Sequence, residues 1–180
     1  SNNMKKFFVM AFLSAMLFTS CDNDKKGDKE DDDNVTNGAE SQEEKNKATA
    51  VASVNALITG DVDATIKDGA ADVTDYGDGS MPPVKGMDSL KAALHTWRDA
   101  LSDYKADNLW AIADGDYVAV FGEWSVTFKS DFMGMKTAGK TVKLKDVDIF
   151  KFNSEGKITE HRNVQSSAEM MRQVSTDLPK

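Results

Sequence analysis

A single cysteine among 180 residues excludes an internal disulfide framework and a cysteine-rich zinc site. Basic charge is also scarce: 22 Lys and Arg stand against 30 Asp and Glu, a formal net charge of −8. A nucleic-acid partner would need a basic footprint, so none is expected. No apolar run reaches the roughly 18 residues of a membrane-spanning helix. No His, Cys and carboxylate group has metal-ligand spacing, no Ser, His, Asp order is defensible, and no cofactor is expected. What remains is ordinary for one folded domain, with 40% hydrophobic residues.

Charge and hydropathy divide the chain in three. Residues 4–20 read as an export signal: Met4 as the natural start, Lys5 and Lys6 as the positive end, and the apolar run from Phe7 to Phe18. Thr19 and Ser20 then precede Cys21. Two small residues before a lone thiol resemble the lipobox of bacterial lipoproteins, although Phe18 stands where a Leu is usual. The resemblance implies lipidation of Cys21, and several acyl chains there would hold the protein to a membrane. Residues 21–46 form the second segment. From Cys21 to Lys47 there are ten acids and five lysines, too little apolar surface to offset ordering entropy, so a disordered tether is expected. The expected address is the bacterial envelope, as an outer-membrane lipoprotein. The acids after Cys21 loosely fit a surface-export signal or, equally, a solvated linker.

Residues 47–180 read as one α+β domain. Val51, Val54, Leu57 and Ile58 recur at helical spacing, Gly60 suits a helix end, and Asp61 can cap a short helix with Val62 and Ile66. A short strand is expected from Asp72 to Tyr76, and a loop where Gly77, Gly79, Pro82 and Pro83 break the pattern. Asp88 is placed at the cap of the longest helix, along which Leu90, Leu94, Trp97, Leu101 and Tyr104 make one apolar face. Strands follow: 108–113, then a long one with Val118, Val120, Trp124, Val126 and Phe128 alternating with polar or smaller residues, then 141–152 and 157–165. Gly122 marks a bend or bulge in the long strand. A helix over 167–174 closes the domain.

Several tracts in this order carry a family likeness. Gly60 to Asp63 within 57–76, Ala113 to Val118, Ala138 to Lys140, and Phe150 to Phe152 with Gly156 to Glu160 resemble the SnoaL-like polyketide cyclases of the nuclear transport factor 2-like superfamily. The resemblance implies a cone-shaped, curved antiparallel sheet wrapped around a long helix, with a cavity inside and homodimerisation through the outer sheet face. On the last strand such cyclases often read E-x-W-x-x-x-D, the acid serving proton transfer. Here Glu160, Arg162 and Ser166 occupy that pattern, so the expected acid is missing.

The candidate chemistry sits elsewhere. Gly134 to Thr141 spells G-x-x-x-x-G-K-T, but Thr141 opens a strand and not the helix a phosphate-binding loop requires, so nucleotide binding is rejected. On strand 141–152, Asp146 and Asp148 share a row with Val142, Leu144, Phe150 and Phe152 if the strand is regular, which makes them candidate general acids or bases. A bulge near Asp146 would instead turn Val147 and Ile149 inward. His161 and Asn163 share a face of the last strand. Catalytic candidates are therefore Asp146, Asp148 and His161. Candidate ligand contacts are Tyr76, Trp97, Trp110, Trp124, Phe128 and Asn163, although the aromatics would equally fill a core. Two functions follow: non-catalytic binding of a small apolar or aromatic ligand or a protein partner, or a cyclase, isomerase or hydrolase working through an Asp.

Overall fold

The computed structural model describes residues 41–164 and 167–175, all within one compact unit, Gly38–Lys180. The expected signal, Cys21 and most of the tether lie outside the described residues. Helix α1 spans Gln42–Thr59. The Ser41 hydroxyl accepts the Glu44 N–H, Glu43 and Glu44 favour the positive helix end, and Gly60 terminates the helix at φ 89°. It thus starts five residues before the expected boundary at Lys47. The composition of 42–46 looked like tether, yet Asn46 is buried and accepts from the Gln42 amide at 2.8 Å.

Asp61 caps α2 (Val62–Ile66) through the Ala64 N–H, as expected. Strand β1 (Gly69–Asp75) then pairs with a two-residue β2 (Val84–Lys85). Helix α3 (Met87–Asp99) corrects three expectations. Its N-cap is Gly86 and Asp88 makes no cap, and at 13 residues it is shorter than the 18 of α1. Leu101 and Tyr104 belong to β3 (Leu101–Asp114), not to the helix. A register shift between Leu101 and Asp103 keeps residues three apart on one face of the strand, mimicking the helical stripe.

Strands β4 (Tyr117–Phe128), β5 (Thr141–Phe152) and β6 (Ile158–Asn163) follow, then α4 (Ser167–Ser175). The sheet order is β2-β1-β6-β5-β4-β3. It is mixed: β1 runs parallel to β6, where a wholly antiparallel sheet was expected, and every other pair is antiparallel. The G-x-x-x-x-G-K-T segment closes the β4–β5 hairpin, with Phe128 N–H bonded to Lys140 O and Gly139 N–H to Phe128 O.

Val118, Val120, Trp124, Val126 and Phe128 on β4 are buried and define the inner face. The β4–β5 register is unbroken, with Val120 opposite Asp148 and Gly122 opposite Asp146. Directly opposed residues share a face, so both acids project inward. The irregularity expected at Gly122 lies on its neighbour: β3 shifts register between Asp107 and Trp110, where Asn108 takes φ 54°. Gly122 is required nonetheless. A Cβ there would meet Leu109 Cδ2 at 2.7 Å and the Trp124 ring at 2.8 Å.

Candidate functional site

A chain of polar side chains crosses the inner face from β1 to β5. His161 Nδ1 lies 3.0 Å from Asp75 Oδ1, and its Nε2 lies 3.3 Å from Asp148 Oδ1. The Asn163 amide donates to Asp148 Oδ1 at 2.5 Å and reaches Asp146 Oδ2 at 3.5 Å. Sheet register produces this meeting: Asp75 pairs with His161, Phe150 with His161, and Asp148 with Asn163. Asp75, His161, Asn163 and Asp148 therefore rise from adjacent positions of β1, β6 and β5. Phe150 lies against the imidazole, ring centroids 4.9 Å apart.

The electrostatics follow from that contact list. Burial alone would lower the His161 pKa, but the hydrogen bonds to Asp148 and Asp75, with their charges, outweigh it and raise the pKa to about 10. Asp75 responds in reverse: burial raises it, and the imidazolium with the Gly77 N–H brings it below its ordinary value. The side chains of Asp75, His161 and Asp148 keep 21%, 21% and 13% of their surface exposed, so solvent reaches the chain. On β3, burial pushes the Tyr104 phenol far up, and the charges of Asp148 and Asp146 add to this while Arg98 opposes it. The Arg98 guanidinium sits 5.4 Å above the Tyr104 ring, and its buried Nε and Nη1 have no hydrogen-bond partner among the described residues.

The sequence candidates sort unevenly. Asp146, Asp148, His161 and Asn163 come together. Trp97, Trp124 and Phe128 do not line an open site. Trp124 and Phe128 are core, and Trp97 packs edge-on to Tyr104, Phe128 and Phe132 at 6.2, 5.8 and 5.3 Å. Tyr76 lies under Arg162, which shares the opposite face of β6 from His161, at 4.1 Å. Trp110 pairs with outward Phe121 and is on the outer face too. Ser166 lies outside the described residues. Two participants were missed. Asp75 alternates with buried Val73 on β1, the same cue that singled out Asp146 and Asp148, while Tyr104 was hidden by its assignment to a helix. No group of three or more His, Cys, Asp or Glu among the described residues is arranged to hold a metal.

The family described as SnoaL-like polyketide cyclase matches residues 48–174. No curated protein matches the chain. Among solved structures, a candidate polyketide cyclase from Xanthomonas campestris is 22% identical with a TM-score of 0.69, covering 75% of this chain and 100% of that one. AclR, a candidate hydroxylase from Streptomyces galilaeus, is 23% identical with a TM-score of 0.62, covering 76% and 99%. A nuclear transport factor 2-like protein of unknown function from Burkholderia pseudomallei is 20% identical with a TM-score of 0.60, covering 73% and 98%. At these identities the likeness is one of fold.

Proposed function

The chain belongs to the SnoaL-like polyketide cyclase family, and from that premise we propose that it is a lipid-anchored envelope protein whose inner acid–imidazole site binds a small apolar or aromatic molecule without turning it over. One observation carries this reading: both ring nitrogens of His161 are committed to carboxylates. An imidazole that stays protonated to about pH 10 does not take a proton from a guest near neutrality. Asp148 Oδ1 likewise already faces donors from His161 and Asn163. Such a network supplies fixed charge, against which the hydroxyl or amine hydrogens of a guest orient where Asp75 and His161 keep 21% of their side chains exposed. The anchor at Cys21 and the envelope address rest on the sequence pattern around that residue.

A second reading, a cyclase, isomerase or hydrolase, is favoured by the placement of Asp146 beside Asp148 on one inward row. Like-charged carboxylates on a common face are a route to a proton-transferring acid.

The test is to incubate the purified full chain with a mixture of aromatic and polyketide-like small molecules and identify what is retained. Asp148→Asn, which keeps shape and removes charge, is run in parallel. The expected result is a compound retained unaltered, bound about tenfold more weakly by the variant. A product made by the wild type and lost in the variant would transfer the function to the second reading. Equal retention by both would remove the site from either.

A further inference from the structure

Two pieces of the chain cover the inner face beside the His161 site, and they are tied to each other. The inward row of β5 runs Val142, Leu144, Asp146, Asp148. Val174 of α4 and Phe128, the last residue of β4, are buried with Val142 in one small apolar cluster. Met170 packs on it from α4, and Phe132 and Met135 pack on it from the β4–β5 loop. Tyr104 and Leu144 touch this cluster and also the larger one that contains Phe150, so the covered end is continuous with the site. The charges of Asp148 and Asp146 reach the Tyr104 phenol.

The helix is attached by side chains, not by a ladder of backbone bonds. Gln173 takes a part of the β5 edge that β6 does not pair. Its Oε1 accepts the Lys143 N–H at 2.9 Å, and its Nε2 donates to the Lys143 carbonyl at 2.7 Å. The Lys140 ammonium donates to the Val174 carbonyl in the last turn of α4, where the helix dipole favours a cation. Lys140 also closes the loop: its N–H donates to the Thr137 carbonyl, and its own carbonyl accepts the Phe128 N–H. It thus joins loop to helix. Inside the loop the Phe132 ring sits 5.3 Å from that of Trp97, and the buried Thr137 hydroxyl donates to the Ser130 carbonyl at 2.9 Å. Helix α4 begins four residues after Asn163, so its position bears on the strand that carries His161.

We propose that α4 and the β4–β5 loop form a latched lid over the inner site, with Lys140 as the latch, and that a guest enters and leaves while the latch is open. This rests on the reading of that site as a binding site. In the closed form Asp148 keeps 13% of its side chain exposed, which admits water but not the flat face of a ring. A nine-residue helix held by a few side-chain bonds, with Met170 and Val174 in the apolar cluster, belongs to the part of a structure that opens before its sheet does. Opening uncovers Leu144, the inward neighbour of Asp146. A broken latch lowers the cost of opening equally in free and occupied protein, so entry and exit quicken together and affinity holds.

Hydrogen exchange of the full chain, read by mass spectrometry on peptides from the loop, α4, β4 and β5, tests the lid without any guest. Loop and helix are expected to exchange together, about tenfold or more faster than the two strands. Lys140→Met should speed both by about a further tenfold, the size expected of one hydrogen bond to a charged group, and leave the strands unchanged. Lys140→Arg, which keeps a donor, should restore the wild-type rate. Exchange of α4 in step with β5 overturns the lid, because a helix that is fixed core opens only with its sheet. A Lys140→Met effect confined to the helix, or spread over every strand, overturns it as well. Entry is followed by stopped-flow fluorescence with 2-naphthol. Lys140→Met should raise its association and dissociation rates about tenfold each and keep Kd within about twofold, whereas Asp148→Asn changes Kd. Rates equal to wild type in Lys140→Met overturn the gating. Absence of any 2-naphthol binding removes the entry claim and counts against the binding reading, and the exchange pattern alone then decides the lid.

Discussion

Asp75 and His161 stand opposite each other in the parallel pairing of β1 with β6, their Oδ1 and Nδ1 atoms 3.0 Å apart although 86 residues separate them in the chain. This contact couples folding to protonation. The folded His161 pKa of about 10 lies above its ordinary 6.5, so its contribution is complete below pH 6.5 and is lost as pH rises through 10. The Asp75 pKa is lowered from 3.8, so its contribution is present above that value and is lost as pH falls through the lower folded one. Stability should therefore peak between the two ordinary values and decline on the alkaline side by a few kcal/mol. Urea unfolding at about pH 5, 7 and 9 measures this. The same alkaline slope in His161→Gln as in wild type would assign the decline to other groups.

That long separation also explains what sequence reasoning reached. Alternation is a local cue, and it put Asp146 and Asp148 on an apolar row and His161 with Asn163 on one face. It left open whether the row was broken, because a bulge costs one residue and leaves no local mark. Asp75 carried the same alternating cue with Val73. Its significance comes from pairing with β6, which no local pattern encodes. The helix–strand junction at Ala100 was hidden for a related reason: Leu101 and Tyr104 continue the spacing of Leu90, Leu94 and Trp97, while pairing with β4 places them in a strand. Gly122 was recognised as special, but the irregularity it accommodates lies on β3.

Gly122→Ala tests that accommodation. The new Cβ would fall 2.7 Å from Leu109 Cδ2 and 2.8 Å from the ring of Trp124, which is only 5% exposed. The indole cannot retreat into solvent, so overpacking should cost about 1–3 kcal/mol. Leu109 is the softer neighbour. Adding Leu109→Ala should return part of the loss, and thermal melts of the single and double variants measure it. A double variant no more stable than Gly122→Ala alone would place the strain on Trp124.

The anchor proposed at Cys21 makes a prediction that needs no folded domain. Cells expressing the chain and fed an alkyne fatty acid should label the wild-type protein and leave Cys21→Ala unlabelled. The wild type should also sediment with membranes and the variant should not, because several acyl chains give stable attachment where one gives only marginal binding. Equal labelling of the two would reject the anchor and, with it, the envelope address.

Arg98 supplies a prediction of opposite sign. Its Nε and Nη1 are buried without hydrogen-bond partners among the described residues, and the guanidinium lies between the Tyr104 ring and the α1 terminus, where a Cβ on Gly60 would approach Nη2 to 3.2 Å. The ring face and the negative end of α1 offset part of the desolvation. They do not replace hydrogen bonds, and a buried charge lacking these is costly. Arg98→Met keeps the length and apolar stem while removing the charge, so it should be neutral or stabilising by about 1 kcal/mol. Arg98→Ala removes the stem as well and should be destabilising by about 1–2 kcal/mol through lost packing. Chemical denaturation separates the cases. Equal destabilisation in both variants would mean that the charge itself holds α3 to Tyr104 and α1, and that the stacked guanidinium is a net stabilising contact.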